Sequence, residues 1–302
     1  MGDLIDDIGW VLWSGTIGLD SPIQSRVEAA RAAGFSQVSL GPLDVAQLEA
    51  EGIAPAELGR SLRKAGLDIV MDPVMGWYGG GPLPGRFAAF DLEQILRMSE
   101  ALQVVSMTAI GPFRAGEVAF GKLVESFAIL CDRAADLGAR VQLEFMPITA
   151  ITDVASAWAI VDGAGRANGG LVVDTWHFFR GTPDLSALER VPGDRIFAVQ
   201  VADAPREVRG SLAEETFNRM LPGDGELDLA GLLRALDRVG GLRWVGPEVI
   251  SPVTAAMPPA DAARIAGSRV RDLITGIRSE TRPARPTRES AEQRGEAERS
   301  KG

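Results

Sequence analysis

The sequence predicts a single (β/α)8 barrel, the TIM barrel fold, followed by a disordered C-terminal tail. Two observations favour this fold class. Short apolar strands alternate with helical segments, and eight such units follow one another at a spacing of roughly 30 residues. An open doubly wound sheet fits eight units of this spacing less well. The barrel is expected to form one domain, residues 1–278.

The predicted strands are short apolar runs rich in β-branched residues. Such runs are typical of parallel strands that are buried on both faces. In chain order they are Ile8–Trp13, Gln37–Leu40, Asp68–Met71, Val104–Ile110, Val141–Phe145, Leu171–Val173, Ile196–Val201 and Arg243–Val249.

Helical segments separate these strands. The first has Ser21 as its N-cap, Pro22 in its first turn and Gly34 at its C-cap. The sixth unit is the weakest, because only Leu185–Arg190 is available as its helix. The other helices are predicted around Ala46 and over Ala54–Ala65, Leu92–Leu102, Glu117–Leu137, Val154–Val161, Leu227–Val239 and Ala260–Ile277.

The end of the chain, residues 279–302, differs in composition from the rest. It is dominated by charged and polar residues, with several Pro and Gly, and contains no aromatic residue. A segment of this kind cannot bury enough apolar surface to offset the entropy lost on folding. We therefore expect residues 279–302 to be a disordered tail.

Charge and cysteine content exclude several classes of function. The 302 residues carry a formal net charge of -10, which argues against nucleic acid as a partner. The single cysteine, Cys131, excludes an intrachain disulfide and fits a reduced, cytoplasmic location. The acidic N-terminus does not resemble a secretory signal, and no apolar run approaches the roughly 20 residues of a membrane span. The expected partner is a small molecule, and a homo-oligomer is left open.

Polar side chains stand at the ends of the last four predicted strands. These residues are Glu144, Asp174, Gln200 and Glu248. The carboxyl ends of barrel strands share one face, so we expect the four side chains to converge there. Oxygen ligands suit Mn²⁺ or Mg²⁺, with Zn²⁺ and Co²⁺ as alternatives. The other interpretation is that an arginine or a backbone amide satisfies each acid separately.

The only histidine of the chain, His177, follows Asp174 by three residues. The two side chains, with Arg180 nearby, indicate a metal or acid–base cluster. Alternatively, Asp174 caps the following segment and His177 packs in a loop.

Four further residues are candidates for substrate contacts. An arginine can bind a carboxylate or phosphate through two parallel hydrogen bonds, and an indole can line a sugar-sized pocket. Surface, ion-pair or purely structural roles are the alternatives. The candidates are Trp13, Arg180, Arg206 and Arg219.

Five motifs carry a resemblance to a known family. They are Leu-Glu-Phe-Met-Pro, Val-Asp-Thr-Trp-His-Phe-Phe-Arg, Val-Gln-Val-Ala-Asp-Ala-Pro, Leu-Pro-Gly-Asp-Gly-Glu-Leu-Asp and Gly-Pro-Glu-Val. Together they resemble the xylose isomerase-like TIM barrels, a family of sugar phosphate isomerases and epimerases, over about residues 8–277. The resemblance implies that Glu144, Asp174, Gln200 and Glu248 bind a metal. It also implies that Glu144, Glu248 and His177 are catalytic.

The implied activity is that of a divalent-metal-dependent isomerase or epimerase. Its substrate would be a sugar or a cyclic polyol ketone, which loses a proton next to its carbonyl through a metal-bound enediolate. A dehydratase or other lyase on a related keto-polyol is the alternative enzyme class.

One residue departs from the family pattern. Gln200 stands where the family has a metal-binding histidine. An amide oxygen is a harder ligand than imidazole, which favours Mn²⁺ or Mg²⁺. A metal-free, non-catalytic sugar-binding barrel is therefore a further alternative. Endonuclease IV, which shares the fold, needs a histidine-rich zinc site that a chain with one histidine cannot build.

Overall fold

Eight parallel strands close into a barrel in the computed structural model, which describes residues 4–79 and 85–281. Each strand pairs with the next in chain order, and β8 pairs with β1 to close the barrel. The predicted (β/α)8 TIM barrel is confirmed. The strands are β1 (Gly9–Leu12), β2 (Gln37–Leu40), β3 (Asp68–Val74), β4 (Ser106–Ile110), β5 (Arg140–Glu144), β6 (Gly169–Asp174), β7 (Ile196–Val201) and β8 (Trp244–Pro247).

Helices connect successive strands, and several short helices lie in the loops that follow strand ends. Within the described residues these are α1 (Ile23–Ala32), α2 (Pro42–Ala50), α3 (Pro55–Lys64), α4 (Leu92–Leu102), α5 (Phe120–Asp136), α6 (Val154–Ala164), α7 (Thr175–Arg180), α8 (Leu185–Glu189), α9 (Leu212–Glu215), α10 (Leu229–Val239), α11 (Pro252–Ala255) and α12 (Pro259–Thr281). The weakly indicated sixth unit does form a helix, α8.

Two boundaries differ from the sequence-based expectation in ways that bear on the site or the domain. β3 continues past Met71 to Val74, so that Asp72 becomes part of the strand. α12 continues to Thr281, beyond the predicted domain end at residue 278. The rest of the predicted disordered tail, residues 282–302, lies outside the described residues.

The apolar core has two layers, as expected for a barrel whose helices surround the sheet. The larger layer lies between strands and helices, and the smaller one fills the barrel interior. The interior residues are Val11, Trp13, Val70, Val172 and Ala198. Because both faces of the sheet are filled, polar side chains from the strands can meet ligands only at the rims of the barrel.

In residues 4–79 and 85–281, none of the helices is both long enough and apolar enough to cross a bilayer.

Candidate active site

The four strand-end residues lie on neighbouring strands. Glu144 and Asp174 are the last residues of β5 and β6, and Glu248 directly follows β8. Asp174 pairs in register with Gln200, the penultimate residue of β7. All four are buried. The barrel thus places these polar groups at one rim, away from bulk water.

Glu144, Asp174 and His177 form the tightest group. One ligand atom from each lies within 4.8 Å of the others, and His177 Nε2 is 3.4 Å from Glu144 Oε1. The local chain explains this position. Asp174 is the N-cap of α7, and its Oδ1 accepts a hydrogen bond from the backbone N–H of His177 at 2.9 Å. Asp174 therefore does cap the following segment, but His177 lies in α7 and not in a loop, and the cap brings its imidazole to the acids.

Arg219 joins two of the acids. Its Nη1 donates to Asp174 Oδ2 at 2.6 Å and to Glu248 Oε2 at 3.0 Å. Its Nη2 lies 3.4 Å from His177 Nε2, and its guanidinium carbon lies 5.1 Å from the ring centroid of Trp176. The acids are therefore not satisfied separately, because two of them share one buried guanidinium.

The loop between β7 and α10 delivers Arg219 to this position. The backbone N–H of Arg219 donates to the Ile250 carbonyl at 3.0 Å, and Met220 forms an antiparallel bridge with Asp203. The Asp203 carboxylate accepts hydrogen bonds from the N–H groups of Gly223 and Leu227. A Cβ at Gly225 would lie only 2.3 Å from Asp203 Oδ1, so this turn requires glycine there. The backbone on both sides of Arg219 is thus fixed.

Asp72 is a site residue that the sequence analysis missed. The charges of Glu144, Asp174 and Arg219 all act on its carboxyl group, which places it beside the cluster. A signal was present, since the apolar run Ile69–Met71 leads directly into this acid. That is the same pattern that identified Asp174. Asp72 was missed because only the last four strands were expected to supply site residues.

Three carboxyl groups of the site have shifted pKa values. Burial raises the pKa of Glu248 well above its usual range, and the charges of Asp174 and Glu144 act in the same direction. Burial, followed by the charges of Glu144 and Asp174, also raises the pKa of Asp72. Burial opposes ionisation of Asp174 too, but Arg219 and His177 outweigh it and lower the pKa of Asp174 to about 2. The site therefore combines an ionised carboxylate with carboxyl groups that retain protons.

These shifts predict that the metal-free protein loses stability as the pH rises from mildly acidic values. Asp72 and Glu248 keep protons in the folded state above pH ~4, where carboxyl groups of the unfolded chain have lost theirs. Each retained proton lowers the free energy of unfolding by ~1.4 kcal/mol per pH unit in that range. Asp174 has the opposite sign: its stabilisation is present above pH ~4 and is lost as the pH falls towards about 2.

Urea unfolding of EDTA-treated protein between about pH 5 and about pH 8 measures this dependence. Glu248→Gln removes one of the protonating groups and should make the dependence shallower. Glu215→Gln, a matched change at a buried acid away from the strand ends, should preserve it. An equal slope in the native protein and Glu248→Gln would contradict the assignment.

A divalent cation fits this donor set. Among the described residues, four carboxyl groups interact electrostatically with Arg219, whose one charge does not balance their ionised forms. Both amide atoms of Gln200 are buried without a hydrogen-bond partner, although buried polar groups are nearly always paired. An ion would give the amide oxygen a partner. The residues that could hold it are Glu144, Asp174, His177, Gln200 and Glu248.

Two of the predicted substrate-binding arginines lie in or beside the same loop. Arg180 forms a buried ion pair with Glu215 and donates to the carbonyls of Pro205 and Arg206. Glu215 also accepts from Trp176 Nε1 at 2.9 Å, so this pair fastens the loop over α7. The side chain of Arg206 is exposed. A substrate contact by either arginine stays a prediction, and no sequence signal marked Glu215.

Trp13 lies inside the barrel. It is fully buried, and it lines a cavity of about 10 Å³ together with Gln37, Ser106 and Arg140, the first residues of β2, β4 and β5. Its indole therefore reaches the half of the barrel where the strands begin. The predicted contact between Trp13 and a substrate at the other rim stays untested.

A comparison with known protein families identifies the family of this chain. The family model described as xylose isomerase-like TIM barrel matches residues 27–272. The chain belongs to this family. The resemblance inferred from the five motifs is thereby confirmed, and the donor residues of this xylose isomerase-like barrel lie within the matched region.

Two relatives of this barrel are enzymes of different classes. The 3-dehydroshikimate dehydratase of Pseudomonas aeruginosa is 30% identical over 272 residues, which cover 87% of this chain and 40% of the dehydratase. The inosose isomerase of Bacillus subtilis is 29% identical over 154 residues, which cover 50% of this chain and 55% of the isomerase. The chain thus spans only about half the length of these relatives.

A solved structure shares the fold of this xylose isomerase-like barrel over most of its length. The IolI protein with a bound zinc atom superposes with a TM-score of 0.77 at 19% identity, covering 89% of this chain and 99% of that one. At this identity the likeness shows the fold. In this chain, the cluster of Glu144, Asp174 and His177 is a group of side chains that could hold a metal ion.

Proposed function

We propose that this barrel is a divalent-metal-dependent isomerase or epimerase. It would act on a sugar or a cyclic polyol ketone by removing a proton next to the carbonyl group. The observation that carries the proposal is the meeting of Glu144, Asp174 and His177 at one rim, where Arg219 joins Asp174 to Glu248.

The two glutamates have different surroundings, which suits a transfer of a proton between them through the substrate. Glu248 accepts a hydrogen bond from Arg219 Nη1, and we assign it the delivery of a proton to a carbon or an oxygen. Glu144 lies beside His177 instead of Arg219, and we assign it the removal of the proton. His177 would hydrogen-bond a substrate oxygen. All three side chains are buried, which supports a reaction shielded from bulk water.

A divalent cation, when bound, would polarise the carbonyl and increase the acidity of the neighbouring C–H bond. Glu144, Asp174, Gln200 and Glu248 would hold it, with His177 as a further donor. Oxygen donors dominate this set, so we propose Mn²⁺ or Mg²⁺ as the native ion, with Zn²⁺ and Co²⁺ as alternatives.

A dehydratase or other lyase is the second candidate. The similarity to the dehydratase extends over 87% of this chain, much further than the similarity to the isomerase. The first step is the same proton removal, after which a group on the next carbon leaves. We assign to Glu248 the transfer of a proton to that leaving group. We also propose a cytoplasmic location, a small-molecule substrate and a role in carbohydrate metabolism.

Hydrogen exchange in D₂O tests the proposal and separates the candidates. Ketoses and cyclic polyol ketones are incubated with metal-loaded protein, and NMR follows deuterium incorporation next to the carbonyl. An isomerase or epimerase incorporates deuterium and forms the isomeric product, whereas a dehydratase forms an unsaturated ketone.

Glu144→Gln is expected to abolish the exchange, and Glu215→Gln, at a buried acid outside the strand ends, should retain it. If no substrate of either class exchanges in the presence of Mn²⁺, Mg²⁺, Zn²⁺ or Co²⁺, the proposed function is wrong.

A further inference from the structure

We propose that Arg219 is an internal competitor for the metal. Its guanidinium binds Asp174 and Glu248 when the metal is absent, and metal binding displaces it from these carboxylates. The inference rests on the proposed metal site. Arg219, a residue of the loop between β7 and α10, would thus set the metal affinity of that site without being a ligand.

The first observation is the position of the guanidinium. A single nitrogen, Nη1, contacts carboxylate oxygens of two candidate ligands, at 2.6 Å from Asp174 and 3.0 Å from Glu248. The other oxygen of Asp174 accepts the cap hydrogen bond from His177. A cation that approaches Asp174 from the site must therefore share or replace the contact with Nη1.

The second observation is that the contacts of Arg219 leave polar atoms unsatisfied. Its Nε is buried without a hydrogen-bond partner, as are both amide atoms of Gln200. A purely structural buried ion pair is normally completed by further hydrogen bonds. Here the network is incomplete on the side of Gln200, the neighbour of Asp174 in register. An ion that takes the place of Nη1 could bind the amide oxygen of Gln200 as well.

The third observation is the charge balance. Arg219 supplies one positive charge and contacts the carboxylates of Asp174 and Glu248, while Glu144 and Asp72 also interact with it electrostatically. A dication neutralises the same carboxylates more completely than a guanidinium. The two cations therefore compete for one set of acids, and each disfavours the other by charge repulsion.

The side chain can move while its backbone stays in place. Hydrogen bonds fix the chain at Arg219 and Met220, so displacement needs only rotation of the side chain. The guanidinium carbon lies 5.1 Å from the ring centroid of Trp176, and that tryptophan is held through its Nε1 by Glu215. Displacement of Arg219 would therefore change the surroundings of Trp176.

Calorimetric titration of EDTA-treated, full-length protein with Mn²⁺ and with Zn²⁺ tests the competition. Arg219→Met keeps most of the side-chain length and removes the charge. This variant should bind each metal on the order of 10- to 100-fold more tightly than the native protein, the range found for changes to residues around metal ligands. Arg219→Lys keeps one charge without the planar fork and should bind with intermediate affinity.

Arg180→Met is the matched control. Arg180 is also a buried arginine paired with a carboxylate, but its partner Glu215 is not a candidate ligand. Its replacement loosens the same loop and should leave metal affinity within about twofold of the native value, since it changes no contact of the candidate ligands. An equal gain in Arg180→Met and Arg219→Met would show that loop loosening, not competition, controls the site.

Two further measurements address displacement and folding. Metal should change the tryptophan fluorescence of the native protein, and this change should be absent in Trp176→Phe and in Arg219→Met. Without metal, Arg219→Met should melt several degrees below the native protein, because two buried acids lose their partner. Saturating Mn²⁺ should raise the Tm of the variant by more than it raises the native Tm.

Equal metal affinities of the native protein and Arg219→Met would overturn the inference while leaving the proposed function intact. If Arg219→Met binds metal more tightly but metal causes no Trp176-dependent fluorescence change in the native protein, Arg219 is not displaced. If neither protein binds metal, both the inference and the proposed metal dependence are wrong.

Discussion

Glu248→Gln is expected to lose most metal binding and to lower turnover on the order of 10²- to 10⁴-fold, the range of a general acid–base group. The substitution removes a charged oxygen ligand and the only group of Glu248 that can carry a proton. The barrel should remain folded, because the glutamine carbonyl can still accept the hydrogen bond that Arg219 Nη1 donates to Oε2. The native carboxyl is disfavoured in its ionised form, so the neutral amide should not lower the Tm.

Metal analysis, turnover and thermal unfolding of the same preparation check this prediction. Glu215→Gln is the matched control, since Glu215 is a buried acid bonded to Arg180 and Trp176 and not to the strand-end cluster. That control should keep its metal. Native metal content and native activity in Glu248→Gln would remove Glu248 from the site.

Gln200→His is expected to raise the affinity for Zn²⁺ or Co²⁺ on the order of 10- to 100-fold, a range typical of altered metal-site contacts. The gain should be smaller for Mn²⁺ and small or absent for Mg²⁺, because imidazole prefers late transition metals. The position is suitable, since Gln200 is fully buried beside Asp174 and its amide has no protein partner. Binding by the variant should weaken below about pH 6.5, where imidazole becomes protonated.

Calorimetric titration of the native protein and the variant with each metal decides the matter. Gln142→His provides the control, because Gln142 is a buried β5 residue whose amide donates to Thr108 Oγ1 at 2.9 Å. No gain in Zn²⁺ affinity is expected there. If Gln200→His binds Zn²⁺ no better than the native protein, Gln200 does not face the metal.

The fold was predictable because a barrel repeats one pattern eight times. Even an error in a single unit, such as the early end assigned to β3, leaves the count of strands intact. Asp72 directly follows the predicted strand and was still missed, because only the last four strands were expected to supply site residues. Element boundaries decide which side chains reach a rim, and they depend on pairing with neighbouring strands that local sequence does not reveal.

The acids of the site were predictable because an ionisable residue inside an apolar strand is rare without a function or a partner. The partner was less predictable. Arg219 was expected at the mouth as a substrate contact, but it lies 45 residues from Asp174 along the chain and bonds it directly. Only the loop geometry set by Asp203 and Gly225 brings the guanidinium there. The contacts of Trp13 and Arg180 were also not predictable, because they form between elements that lie far apart in the sequence.

The central claim is that the strand-end cluster binds one divalent cation. Titration of EDTA-treated, full-length protein with Mn²⁺ and with Zn²⁺ tests it most directly when Glu144→Gln is measured beside the native protein. We expect the native protein to bind about one ion per chain in a saturable manner. The metal affinity of the variant should be lower by about 100-fold or more, since changes to a residue beside a ligand already cost about 10- to 100-fold. A folded native protein without saturable binding, or a variant that binds as the native protein does, would contradict the account.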